Sequence, residues 1–163
     1  MSRAARTSLI TLLALTAAVA ACRRARPAEP RRTYAHPNGL TLAAPETFAG
    51  RGVSVIRTPT GFAVYTDPRA TRYAARALVT FNADRATPAG TWPDKQAVDG
   101  RTIHSVVDSF PDASVGSGGP EYELRAWESA RGGHVAYSQH VQTEGEPDFG
   151  LLWAIIEGTK PPS

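Results

Sequence analysis

His104, Ser105 and Asp108 carry the residue types of a nucleophile, base and acid set within five positions. On a strand, neighbouring residues point to opposite faces, and hydrolytic triads are assembled from distant parts of a chain. The spacing therefore argues against a working triad. Gly116-Ser117-Gly118-Gly119 lacks the G-x-S-x-G spacing of a nucleophile elbow and reads as a flexible connection. Glu121 and Glu123 share one strand face with Cα atoms about 6–7 Å apart, a separation that glycosidase carboxylates can use. Arg125 follows on the same face and points instead to charge balance. His134 and His140 also share a face, yet six residues of strand put them about 20 Å apart, too far to hold one metal ion. No catalytic residue, metal site or cofactor is expected from these groups.

The elements that would position these side chains are short and turn-rich. Leu40 and Leu42 alternate with Thr41 and Ala43 after the Asn38-Gly39 turn. Residues 53–66 form a hairpin around Thr58-Pro59-Thr60-Gly61. Tyr73, Ala75, Ala77, Val79 and Phe81 occupy every second position, which predicts a strand over 73–82. Residues 83–100, with Pro88, Gly90, Pro93 and Gly100, read as a long loop, and 102–108 as a strand. Tyr122, Leu124 and Ala126 alternate with Glu121, Glu123 and Arg125, giving one buried and one wet face. Arg131-Gly132-Gly133 turns this strand into a partner carrying Val135, Tyr137 and Val141.

Phe149, Leu152, Trp153 and Ile156 fall at helical spacing, with Pro147 suited to the first position and Gly158 to the stop. A helix of about a dozen residues is marginal alone and must pack on the sheet. The expected fold class is α+β: a mostly antiparallel sheet with a C-terminal helix packed on it, after a signal peptide and a flexible tether.

The N-terminus predicts an exported form. Arg3 and Arg6 precede an apolar run from Leu9 to Ala21, and Arg23, Arg24 and Arg26 follow it. A membrane span needs about 20 apolar residues, so this run reads as a signal peptide over 1–21. Val19-Ala20-Ala21-Cys22 resembles the bacterial lipobox, and Cys22 is the only cysteine in the chain. The resemblance implies a Cys22 carrying diacylglycerol and an acylated (palmitate-type) amine, anchored in the bilayer by chains worth about 0.8 kcal/mol per buried CH₂. Arg23, where an aspartate would imply inner-membrane retention, favours the periplasmic face of the outer membrane.

Charge is partitioned along the chain. The whole sequence carries +3, and removal of 1–21 leaves +1. An Arg/Pro-rich tether over 22–32 holds +4, so a single domain over 33–163 holds −3. A nucleic-acid partner would need a basic face on the domain, so none is expected. Within the domain, residues 33–107 carry +3 and 108–163 carry −6, a gradient able to steer a basic partner.

The run Gly118 to Trp127 (GGPEYELRAW), the later Glu144 to Phe149 (EGEPDF) and the lipobox are together similar to small lipoprotein immunity proteins of type VI secretion systems. That resemblance implies a binder of a secreted cell-wall-degrading toxin, with no chemistry of its own. It makes Asp112, Trp127, Glu144, Glu146 and Asp148 candidate contacts with a basic effector. Trp127, on a charged strand face, is either an exposed interface anchor or a side chain covered by a loop. A second likeness, of His36-Pro37-Asn38-Gly39-Leu40 and the terminal helix to PsbP-like α+β domains, implies instead an accessory lipoprotein of an envelope complex.

Overall fold

The structure is a computed structural model that describes residues 29–66, 76–83, 86–110 and 119–163. The proposed signal peptide, Cys22 and Asp112 lie outside the described residues.

Strands dominate. The large sheet is antiparallel and seven-stranded, in the order β5-β6-β7-β11-β10-β9-β8, with β5 Ser54–Arg57, β6 Gly61–Tyr65, β7 Arg76–Asn82, β8 Asp94–Val98, β9 Arg101–Phe110, β10 Glu121–Ala130 and β11 Gly133–Gln142. A second sheet pairs β1 Arg31–Ala35, β2 Thr41–Pro45 and β12 Thr159–Lys160, and a small ribbon joins β3 Thr47–Phe48 to β4 Arg51–Gly52. Arg31 and Arg32, placed at the end of the tether by composition, are already paired with Pro45 and Ala44. The described residues contain one helix, α1, Gly150–Gly158. The α+β expectation is therefore corrected: the described residues are mostly β, with a single nine-residue helix among them. The physical reason lies at the helix start. Pro147 and Asp148 remain outside it, Phe149 is the N-cap residue, and the chain returns to a strand directly after Gly158.

One of the strands absent from the sequence reading, β8, pairs with β9 through a two-residue turn at Asp99-Gly100. Both residues adopt positive φ, 48° and 76°, as that tight hairpin geometry requires. Gly158 is needed for a different reason. A Cβ there would lie 2.0 Å from the Ala43 carbonyl oxygen, where the helix end meets β2.

Alternation gives the large sheet two unlike faces. The inner face presents Phe62, Val64, Ala77, Val79, Ile103, Leu124, Ala126, Val135 and Tyr137 to a core completed by Leu151, Leu152, Ile155 and Ile156 of α1 and by Leu40 and Leu42. Polar groups of the sheet hold α1 at both ends. At its start, the buried Gln139 accepts a hydrogen bond from the Leu152 amide at 2.8 Å and donates to the Asp148 carbonyl at 3.1 Å. At its end, Arg101 donates to the Ile156 carbonyl at 2.8 Å. Free helix termini leave unpaired backbone groups, and these two side chains meet part of that need. Arg101 also pairs with Glu128 at 2.6 Å, and the Tyr137 hydroxyl donates to the same carboxylate oxygen. Burial pushes the Glu128 carboxyl above its ordinary range, outweighing Tyr137 and Arg101, which pull the other way. The Tyr137 phenol is pushed up by its own burial and by the Glu128 charge.

Candidate functional site

The outer face of the large sheet collects most of the chemistry-bearing residues. Cross-strand register aligns Arg76, His140, Glu123 and Asp108 in one row, and Thr80, Ala136, Trp127 and His104 in another. Between them lies the row of Leu78, Ser138, Arg125 and Val106. Such a surface is set by strand pairing, since directly opposed and diagonal side chains are near enough to interact.

The charged row is internally neutralised. Arg125 reaches diagonally to Asp108, with Nη2 to Oδ2 at 2.5 Å and Nε to Oδ2 at 2.9 Å, and its Nε lies 3.9 Å from Glu123. Glu123 meets His140 at 3.0 Å on its other side. These groups are partly exposed, so their net contribution to stability is small. Glu123 is thus engaged by two neighbours rather than standing as one of a catalytic pair with Glu121. His104 and Asp108 share the outer face, but Ser105 points into the core and is buried, so the three cannot form a triad. Among the described residues no cluster of His, Cys, Asp and Glu is arranged to hold a metal ion.

Trp127 is the centre of an aromatic group on the same face. His104 stacks on it at 4.4 Å and 10°, while His134 and Trp92 meet it edge-on at 6.4 and 6.3 Å. Trp92 comes from the segment over 86–93, held by a hydrogen bond from its indole N–H to the Pro88 carbonyl at 3.1 Å. The Arg125 guanidinium lies 5.7 Å from the Trp92 ring centroid, a cation–π contact. Trp127 is therefore covered by the loop, not exposed: only 8% of its surface is accessible. Its Nε1 is buried and has no hydrogen-bond partner among the described residues. Leaving such a donor unmet costs about 1–3 kcal/mol, which a native structure rarely retains without a role for it. Beside it opens a cavity of about 240 Å³ lined by Leu78, Thr80, Trp92, Arg125, Trp127 and Ser138, among others.

The remaining candidates lie elsewhere. Glu144, Glu146 and Asp148 sit in the exposed connection between β11 and α1. Asp148 Oδ1 accepts from the Gly150 amide at 2.8 Å, so its carboxylate serves the start of the helix. This acidic connection packs against the start of β10, where the Thr143 amide donates to Pro120 at 3.2 Å. Six residues of strand separate Glu121 from Trp127, or about 20 Å. The structure thus places the acidic connection and Trp127 at different parts of the molecule. Sequence reasoning missed His104 and His134 as neighbours of Trp127. Their alternation on β9 and β11 was legible, but the register that aligns them was not.

The described residues thus form a mostly β domain whose outer sheet face sets a loop-covered tryptophan beside paired charges. The chain belongs to the type six secretion immunity 3 domain family, whose pattern matches residues 41–160, from the first residue of β2 to the last of β12. It is similar to the immune protein Tsi3 of Pseudomonas aeruginosa strain PAO1, at 32% identity over 127 residues that cover 77% of this chain and 79% of the relative.

Proposed function

We propose that this chain is an immunity protein that binds and neutralises a secreted toxin, acting by occupancy and not by catalysis. The observation that carries this reading is the extent of the family match, which takes in the large sheet, α1 and the whole outer face around Trp127. In the finer reading the toxin degrades the cell wall. The chain then meets it at the periplasmic face of the outer membrane, moored by acylated Cys22 and the Arg-rich tether. The acidic connection of Glu144, Glu146 and Asp148, with Asp112, supplies charge that draws a basic effector toward the domain.

Co-production tests it. Cells exporting the cognate effector, sought among the products of adjoining genes, should lyse, and should survive when the chain is supplied. Lysis that is indifferent to the chain, or stable association with resident envelope proteins in place of the effector, contradicts the reading. Cys22→Ser tests the mooring separately: it should block acylation and cleavage before residue 22, changing the protein's mass and its fractionation. Unchanged fractionation and mass would refute the lipid anchor alone.

A further inference from the structure

The cavity beside Trp127 is chemically lopsided. Its volume, about 240 Å³, falls below the roughly 300–1,000 Å³ of sites that enclose a small molecule and suits one protein side chain. The polar groups around it are almost all engaged. The Trp92 N–H is held by Pro88, the Thr80 hydroxyl lies 3.4 Å from the Ala136 carbonyl, Arg125 is bonded to Asp108, and Glu123 faces both His140 and Arg125. The Trp127 ring lines the cavity, and its indole N–H is buried with no acceptor among the described residues. A wall with a spare donor and balanced charge selects an uncharged acceptor. A carboxylate entering here would meet Glu123 and a cation would meet Arg125, both on the wall of a partly desolvated site.

We propose that this cavity receives the side-chain carboxamide of an Asn or Gln on a loop of the secreted effector, its carbonyl oxygen accepting the Trp127 indole N–H. The proposal rests on the immunity reading and names the contact through which the outer face would engage its partner. The surroundings suit a protein: Glu123 and Arg125 line the cavity, each paired with a neighbour on the sheet, and Phe110 and Ile56, about half exposed, lie farther out on the same face.

The test uses the full ¹⁵N-labelled chain and the cognate effector with its active site inactivated. Trp127→Phe keeps the ring and removes the N–H. The expected result is about tenfold weaker binding for W127F, as for loss of one buried hydrogen bond, measured at a temperature where the variant is fully folded. The indole resonance of Trp127 in the wild type should also move downfield at saturation. If W127F fails to fold, assignment by elimination through W92F and W153F lets the wild-type resonance decide. Capture of the effector with a static Trp127 resonance, or with W127F binding within about twofold of wild type, overturns the proposal and leaves the immunity reading standing. Failure of the wild type to capture the effector overturns both.

Discussion

The imidazole of His104 lies flat on the indole of Trp127, 4.4 Å between centroids and 10° from parallel. The two residues face each other across β9 and β10 as direct partners in the ladder. This pairing, with Trp92 above it, fixes the indole in one orientation at the middle of the outer face.

His104→Ala removes one wall of that stack. The expected loss is about 0.5–1.5 kcal/mol of stability, the contribution of an aromatic pair beyond its buried area. Chemical denaturation would measure it, and tryptophan emission should shift to the red as water reaches Trp127. A shift without destabilisation would mean that the stack orders the indole but does not hold the strands.

Glu128 is 1% exposed and shares its Oε1 between Arg101 and Tyr137, while Oε2 has no hydrogen-bond partner among the described residues. Glu128→Ala leaves Arg101 without its anion and should cost about 3 kcal/mol. The pH dependence follows from the raised carboxyl. Its folded value lies above the ordinary 4.5, so the folded state holds the proton more tightly than the unfolded chain. That contribution is complete below 4.5 and is lost as pH rises through the folded value. Glu128→Gln removes it, so the variant's stability should fall less than wild type's as pH climbs from 4.5, checked by urea titrations across that range.

Gln139 ties the first turn of α1 to β11 through both ends of its amide. Gln139→Ala should destabilise by about 1–3 kcal/mol, because the Leu152 amide loses its acceptor in a buried setting. Amide hydrogen exchange would show the effect first at residues 150–153. Uniform loosening of the sheet instead would argue that Gln139 serves the core and not the helix start.

Much of the sheet was legible from periodicity. Alternation in 121–127 and 135–141 marked β10 and β11, and the Thr58 to Gly61 turn marked the β5–β6 hairpin. What misled was punctuation. Pro88, Gly90, Pro93 and Gly100 made 83–100 resemble one loop, so β8 and its Asp99-Gly100 turn were missed. The helix period was real, with Leu151, Leu152, Ile155 and Ile156 buried, but its length was overdrawn at the N-terminal side by Pro147. The site was less legible than the fold. Trp127 stood out by residue type, whereas its contacts with His104 and Trp92 depend on strand register and on the path of a loop. Neither is written in local pattern.

The central claim is that the outer face binds the toxin, and Val106→Arg tests it most directly. Val106 lies on that face between His104 and Asp108, opposite Arg125. A long cation there should block docking without disturbing the inner core. In an equilibrium titration with the inactivated effector, the wild type should bind with a Kd on the order of nanomolar. V106R, with an unchanged melting temperature, should bind at least about a hundredfold more weakly. Equal affinity of the two proteins would contradict the account, because the toxin would then be held by some other surface.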